Sequence, residues 1–277
     1  MGSTLPKEVN PMNCIVCNSN KTVRNGKYKT YQNFKCKNCG KQFSERSFSF
    51  FCRHRYPEEV IRNAILFCMF VSTRISAFLL DETIQFHPTH VSVYNWIKKF
   101  ASLSANMNRS MSFSNIWHVD EKFIKVRGSK DPFAYLWVVI DDKNTILAVH
   151  VSEERDTNGA KTVLRKAKHN AEKPPDVIVS DGWQAYKEAC KKVFGRKTKH
   201  VISHFEPARF MHNGRYYVLS NNRIESLNSK INLWYKKFRG FKRLDTANLW
   251  CEMWKFFYNL MRPRVIPHEI ISIHQII

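Results

Sequence analysis

No stretch of this 277-residue chain is both long and apolar enough to cross a bilayer. The longest apolar runs, such as Ala64 to Val71, fall far short of the ~20 residues a helical span needs. A basic start followed by an apolar core and a small-residue cleavage site is also missing, so no secretory leader is expected. The start Met1-Gly2-Ser3-Thr4-Leu5-Pro6 does not fit the myristoylation pattern, because Pro6 stands where Ser or Thr is required. Together these absences predict a cytoplasmic protein, with no membrane partner, whose eight cysteines are thiols or metal ligands. There is no internal repeat and no low-complexity tract. Acid is scarce too: Asp+Glu number 23 against 45 Lys+Arg, a formal charge of +22 and a pI near 9.8. Folding does not need that imbalance. It attracts polyanions, of which nucleic acid is the commonest.

What is present suffices for one large domain and one or two small ones, with 43% hydrophobic residues. The texture divides the chain at 1–55, 56–109, 110–243 and 244–277. Strand-like runs occupy Ile116–Val126, Ala134–Asp141 and Thr145–Val151. A helix-like run from Asn158 to Ala171 ends before Pro174-Pro175, and Val177–Asp181 is a short apolar strand. Further helices are expected at Trp183–Phe194, Asn221–Phe238 and Asp245–Met261. Three successive strands, then alternating helix and strand, predict an α/β domain: a mixed sheet with an antiparallel meander extended in parallel through crossovers.

The first segment carries Cys14-x-x-Cys17 and Cys36-x-x-Cys39. Each hook sets two thiolates on one side of a tight turn, and two hooks complete a sulfur tetrahedron for Zn2+. Four thiolates leave no open position, so the site is structural. A segment this small has little core of its own, and zinc can supply on the order of 10 kcal/mol to its folding. Cys52, Cys68, Cys190 and Cys251 show no pairing pattern and read as small buried apolar residues. Lys21, Arg24, Lys27, Lys29, Lys35, Lys37, Lys41 and Arg46, interleaved with Tyr28, Tyr31 and Phe34, suit contact with DNA phosphates. A protein-docking knob is the alternative.

Pro57-Glu58-Glu59 opens a helix, with Pro at its first position and acids at its positive end. A second helix fits Arg74 to Leu80, and a third begins at Pro88. Two short helices joined by a turn, the second polar and basic outward, describe a helix-turn-helix. His90, Tyr94, Asn95, Lys98 and Lys99 are then the candidates for reaching bases or phosphates of double-stranded DNA. A plain three-helix bundle has the same periodicity.

Three acids mark the larger domain. Asp120 lies in the middle of a strand, where a charge is costly unless paired or bound to a cation. Asp181 ends a buried-looking strand, where open α/β sheets place ligands. Glu225 opens a helix. Each alone is readily structural, since Asp after a strand often only caps a helix. Together they suit phosphodiester chemistry, in which two hard cations ~3.5–4 Å apart are held by carboxylates. Glu121, Asp141, Asp142 and Asp156 are alternative acids, with Asp141-Asp142 better read as a turn. The basic run Lys191 to Lys199 is a solvated face or a phosphate track.

Several stretches resemble the DDE transposases of prokaryotic insertion sequences, most closely the insertion sequence six family. They are Trp117-His118-Val119-Asp120-Glu121 with Ile124-Lys125-Val126-Arg127-Gly128, Tyr135-Leu136-Trp137 to Asp141, Glu154-Arg155-Asp156, Ser180-Asp181 with Tyr186, Asn221-Asn222-Arg223-Ile224-Glu225, and Arg239-Gly240-Phe241-Lys242. The amino-terminal hooks, with Asn25-Gly26 and Gln42-Phe43-Ser44, look like the zinc ribbons attached to such enzymes. The resemblance implies an RNase H-like catalytic domain preceded by a zinc ribbon and a helix-turn-helix domain. It carries the Mg2+ or Mn2+ ligand roles onto Asp120, Asp181 and Glu225. It implies a prokaryotic, nucleoid-associated transposase that binds terminal inverted repeats, cleaves them and joins the 3′-hydroxyl to target DNA as a homodimer or higher homo-oligomer. A DNA-binding regulator or domesticated relative without catalysis, or an RNase H-like nuclease, is the alternative. Arg223 and Lys236 join the expected DNA contacts. The chain departs from the pattern after Glu225: Asn228 and Ser229 stand where the family has a His-Arg pair, and Asn232 where it has a lysine. It also carries an extra segment around His204 to Tyr217.

Overall fold

The computed structural model describes residues 12–28, 31–44, 47, 54–107, 112–127, 132–203, 206–236 and 240–261. Lys29, Arg46, Cys52, Gly128, His204, Phe238 and Arg239, all named above, lie outside them. The chain forms two compact units, one up to Arg62 and one from Asn63.

In the first unit, β1 (Thr22–Tyr28), β2 (Tyr31–Cys36) and β3 (Gln42–Ser44) make an antiparallel sheet in that order. Its core is small: Cys14, Cys36 and two stacked rings, Phe34 and Phe43, 5.7 Å apart. α1 spans Glu58–Phe67.

The second unit begins with α2 (Thr73–Ile84) and α3 (His90–Met107). The Ser72 hydroxyl caps α2 by accepting from Ile75 N–H, and Gln85 ends it in a left-handed conformation. The strands β4 (Ile116–Lys125), β5 (Phe133–Asp141) and β6 (Ile146–Ser152) form an antiparallel meander. After α4 (Thr157–Ala171) comes β7 (Val177–Ser180), and after α5 (Gln184–Phe194) comes β8 (Lys199–Ile202). Both pair in parallel, giving a five-stranded sheet of order β6-β5-β4-β7-β8. This is the mixed sheet expected from the sequence, with the strand order of an RNase H-like fold. A hairpin follows, β9 (Ala208–His212) and β10 (Arg215–Leu219), and then α6 (Asn222–Lys236) and α7 (Leu244–Met261).

Alternation along the strands divides the core. Trp117, Val119, Trp137, Val139 and Ile178 face α4 and α5, meeting Val163, Leu164, Ala189 and Phe194. Gly159 lets α4 come close: a Cβ there would lie 2.6 Å from the Trp137 ring. On the other face the hairpin covers Val177, Val179 and Val201 with Ala208, Phe210 and Leu219. Its turn, Asn213-Gly214, has φ of 48° and 74°, the left-handed pair that two-residue hairpin turns require.

β6 is an outer strand, and side chains of α7 and α4 satisfy its outward backbone. Asn248 accepts from Val151 N–H at 2.8 Å and donates to Val151 O at 2.9 Å. Asn259 exchanges the same two bonds with Ile146, both at 2.9 Å. The spacing has a geometric cause. From 248 to 259 the helix rises about 16.5 Å, and from 146 to 151 the strand does the same. Asn170 and Lys166 of α4 donate to Leu147 O and Val149 O at 2.7 and 3.4 Å. α7 also packs on α3, through Phe256 and Phe257 against Phe100.

Candidate functional site

Strand pairing brings the first two acids together. β4 and β7 run parallel, and their last registered pair is His118 with Val179. Asp120 and Asp181 each stand two residues beyond that pair. They therefore leave neighbouring strands, about 4.8 Å apart, on the same face. The Asp120 carboxyl is pushed up to about 7, by burial first and then by the charges of Glu121 and Asp181. Asp181 also accepts from Trp183 N–H at 3.0 Å, the local capping role that an acid after a strand commonly takes.

The helix carrying the third acid is docked on the same strand. Glu225 lies in the first turn of α6, exposed. One turn later, Asn228 Nδ2 donates to Asp120 Oδ2 at 2.8 Å. Lys122, on the same face of β4, donates to Asn228 O at 3.2 Å and to Asn232 Oδ1 at 2.6 Å. Two of the residues that depart from the family pattern thus tie α6 to β4, Asn228 through Asp120 and Asn232 through Lys122. Asp120, Asp181 and Glu225 are not drawn into a one-ion cluster: among the described residues only the four cysteines have ligand atoms all within 4.8 Å of one another.

Glu121 points to the opposite face. Its carboxylate accepts from Arg155 Nε at 2.6 Å, pairs with the Arg155 guanidinium and accepts from the Tyr186 hydroxyl. Arg155 lies over the Trp183 ring at 4.4 Å. Burial, and then Glu121, hold the Tyr186 hydroxyl well above its ordinary pKa, so it stays a donor. Both Glu121 oxygens are engaged, and the acid acts as a strut between β4, the turn before α4, and α5. In the sequence Arg155 and Tyr186 stand out only as motif residues without a role. Their common partner would have emerged from strand parity, which sends Glu121 away from Asp120.

The remaining candidates have structural duties. Asp141 accepts from Thr145 N–H at 2.6 Å and Ser114 N–H at 3.2 Å, and Asp156 caps α4 by accepting from Gly159 N–H at 2.8 Å. His118 is buried, and neither ring nitrogen has a hydrogen-bond partner among the described residues. Burial first, then the Arg223 charge, lowers it to about 4. Arg223 and Lys236 are exposed on α6. On α3, His90, Asn95 and Lys98 are exposed and Lys99 is half-buried. The Tyr94 hydroxyl lies 3.3 Å from Thr246 Oγ1 of α7, with the Lys98 ammonium over its ring at 5.9 Å.

In the first unit the four hook cysteines converge. Cys14 Sγ lies 3.5 Å from Cys39 Sγ, and Cys17 Sγ 3.6 Å from Cys36 Sγ. A sulfur tetrahedron around zinc at ~2.3 Å has edges of about 3.8 Å, so the set is of the right size. Backbone N–H groups aim at the sulfurs: Val16 N–H donates to Cys14 Sγ at 3.5 Å, and the Ser19 N–H is the largest influence lowering Cys17 to about 6. Cys68, Cys190 and Cys251 are buried, and burial holds the thiols of Cys68 and Cys190 up at about 12. No helix among the described residues is long and apolar enough to cross a membrane.

Three comparisons with known proteins bear on this geometry. No curated protein matches the chain. Among solved structures, the HTLV-2 integrase catalytic core domain in complex with magnesium (trimeric form) is similar at 18% identity, covering 60% of this chain and 97% of that one with a TM-score of 0.36. The intasome of simian T-cell lymphotropic virus, in complex with the PP2A regulatory subunit B56 gamma, is similar at 16% identity, covering 77% and 71% with a TM-score of 0.38. A family model described as a DDE domain, of the IS240 type of DDE transposases, matches residues 114–263. That match spans more than half of the chain and takes in β4, β7 and α6 with the acids they carry, and on it the chain belongs to the IS240-type DDE transposase family.

Proposed function

We propose that this chain is a transposase that binds the terminal inverted repeats of an insertion sequence, cleaves them by metal-assisted hydrolysis, and joins the freed 3′-hydroxyl to target DNA. The observation that supports it most is Asp120, a mid-strand carboxyl held up at about 7 beside Asp181 and hydrogen-bonded to the helix of Glu225. A buried acid among acids is what a cation relieves. Asp120, Asp181 and Glu225 are hard oxygen donors that would hold Mg2+ or Mn2+. When bound, such ions activate the attacking oxygen and stabilise the leaving one.

The chain's own part is placement. β4 and β7 fix two carboxylates on one face, and Asn228 orients Asp120 while tying α6 to it. Glu121, locked by Arg155 and Tyr186, holds the strand in register with α5. The excess of basic residues gathers DNA around the site, with His90, Asn95, Lys98, Arg223 and Lys236 as exposed candidates for phosphates and bases. Cys14, Cys17, Cys36 and Cys39 hold a structural Zn2+ that folds the amino-terminal ribbon. Two ends handled in one reaction require a homodimer or a higher homo-oligomer.

The test is cleavage and strand transfer on a duplex carrying the inverted repeat that flanks the gene, with Mg2+ or Mn2+, for wild type, Asp120→Asn and Glu225→Gln. Both variants should lose activity by roughly 1,000-fold or more while still binding the duplex. Undiminished activity in either one removes the carboxylate assignment. Cleavage without joining makes the protein a nuclease instead.

A further inference from the structure

Lys122 follows Asp120 by two residues on the same face of β4 and reaches α6. Its half-buried ammonium is held by Asn232 Oδ1 at 2.6 Å and Asn228 O at 3.2 Å. Both acceptors are neutral, and among the described residues no carboxylate lies within ion-pair distance of it. The acid two residues away takes its hydrogen bond from Asn228 instead. An ammonium half withdrawn from water and hydrogen-bonded only to neutral oxygens is balanced by no ion pair, only by the charge of Asp120 acting from farther off. It has three N–H donors, of which these contacts use two. The cation therefore sits between the strand of Asp120 and the helix of Glu225 with charge and a donor to spare. The site around it is one that a phosphodiester must enter.

We propose that Lys122 binds the phosphate adjacent to the scissile bond, with Asn232 and Asn228 as the positioning residues that aim it. The inference rests on the reading of the carboxylate site as one that cuts DNA. It also gives Asn232 a purpose: where the family pattern has a lysine on the helix, this chain brings an ammonium to the same spot from the strand.

The experiment compares Lys122→Ala, Lys122→Arg, Asn232→Lys and the double variant Lys122→Ala/Asn232→Lys on the same end duplex. Affinity is measured across a salt series in chelator, on an Asp120→Asn background as well as the parent, and strand transfer is measured with Mg2+. Lys122→Ala should flatten the slope of log affinity against log salt by about 0.9, the signature of one lost phosphate contact. It should also lower strand transfer by roughly 100-fold. The double variant should recover most of both, and Lys122→Arg should keep the slope. An unchanged slope overturns the proposal, whether or not activity falls, because a purely structural lysine leaves the slope alone. A double variant with the slope restored and activity still absent also overturns it. A parent that binds the duplex but never cleaves it refutes the carboxylate reading, and the slope on the Asp120→Asn background still decides Lys122.

Discussion

Asp120 bears a cost in the metal-free protein that its neighbours do not remove. Burial and the charges of Glu121 and Asp181 outweigh the single bond from Asn228, so its folded-state pKa of about 7 stands above the ordinary 3.8. For a carboxylate shifted upward, the folded state binds the extra proton. Stability is therefore full below the unfolded value and is lost as pH rises through about 7. Asp120→Asn removes that loss while keeping an oxygen for Asn228. The variant should be more stable than wild type in chelator at pH 8, by about 1–3 kcal/mol. At pH 4 it should have no advantage, and thermal melts at the two pH values check this. A gain at high pH coupled to lost cleavage is the pattern of a residue kept for chemistry at the expense of stability.

At the scale of elements, close approach decides more than propensity. Gly159 opens α4 directly over the Trp137 ring, with an added Cβ at 2.6 Å. Gly159→Ala must displace Trp137, which also donates to Ser152 Oγ at 2.7 Å, and should destabilise the unit by about 1–3 kcal/mol in a denaturant melt. Long periodic elements were legible in the sequence. The expected strands at Ile116–Val126 and Val177–Asp181 and the helix at Asn158–Ala171 differ from β4, β7 and α4 by a residue at either end. β8 was hidden because Lys199 and His200 belong to a basic run whose charge masks Val201 and Ile202. The hairpin was hidden too, being read only as an extra segment, although Asn213-Gly214 between alternating residues is a strong local hairpin signal. The acids were visible by type and position. What sequence could not show was the sideways wiring of Lys122, Asn228 and Asn232, or of Glu121, Arg155 and Tyr186. Those contacts join positions up to 110 residues apart and depend on which face each side chain takes.

For the whole molecule, acid is the weak side. Burial lowers His118 and His150 to about 4, with Arg223 assisting at the first and Lys166 at the second. Both depart downward from 6.5, so the unfolded chain binds more protons between those values. The stability they contribute is complete above about 6.5 and is lost as pH falls towards 4, at up to about 1.4 kcal/mol per pH unit for each histidine. Asp120 acts in the opposite sense over all of that range, and the two histidines together outweigh it. Stability in chelator should fall on acidification from pH 6.5 to 4.5, and His150→Gln should make the fall shallower. Beyond charge, the two asparagines of α7 act on one border of the sheet. With both backbone groups of Val151 and Ile146 paired to Asn248 and Asn259, and the carbonyls of Leu147 and Val149 to side chains of α4, β6 offers an incoming strand no continuous ladder of free backbone groups. Sheet-to-sheet growth, and with it cross-β aggregation, is closed along this border. At this edge a second copy would meet the side chains of α4 and α7 and not a row of backbone groups.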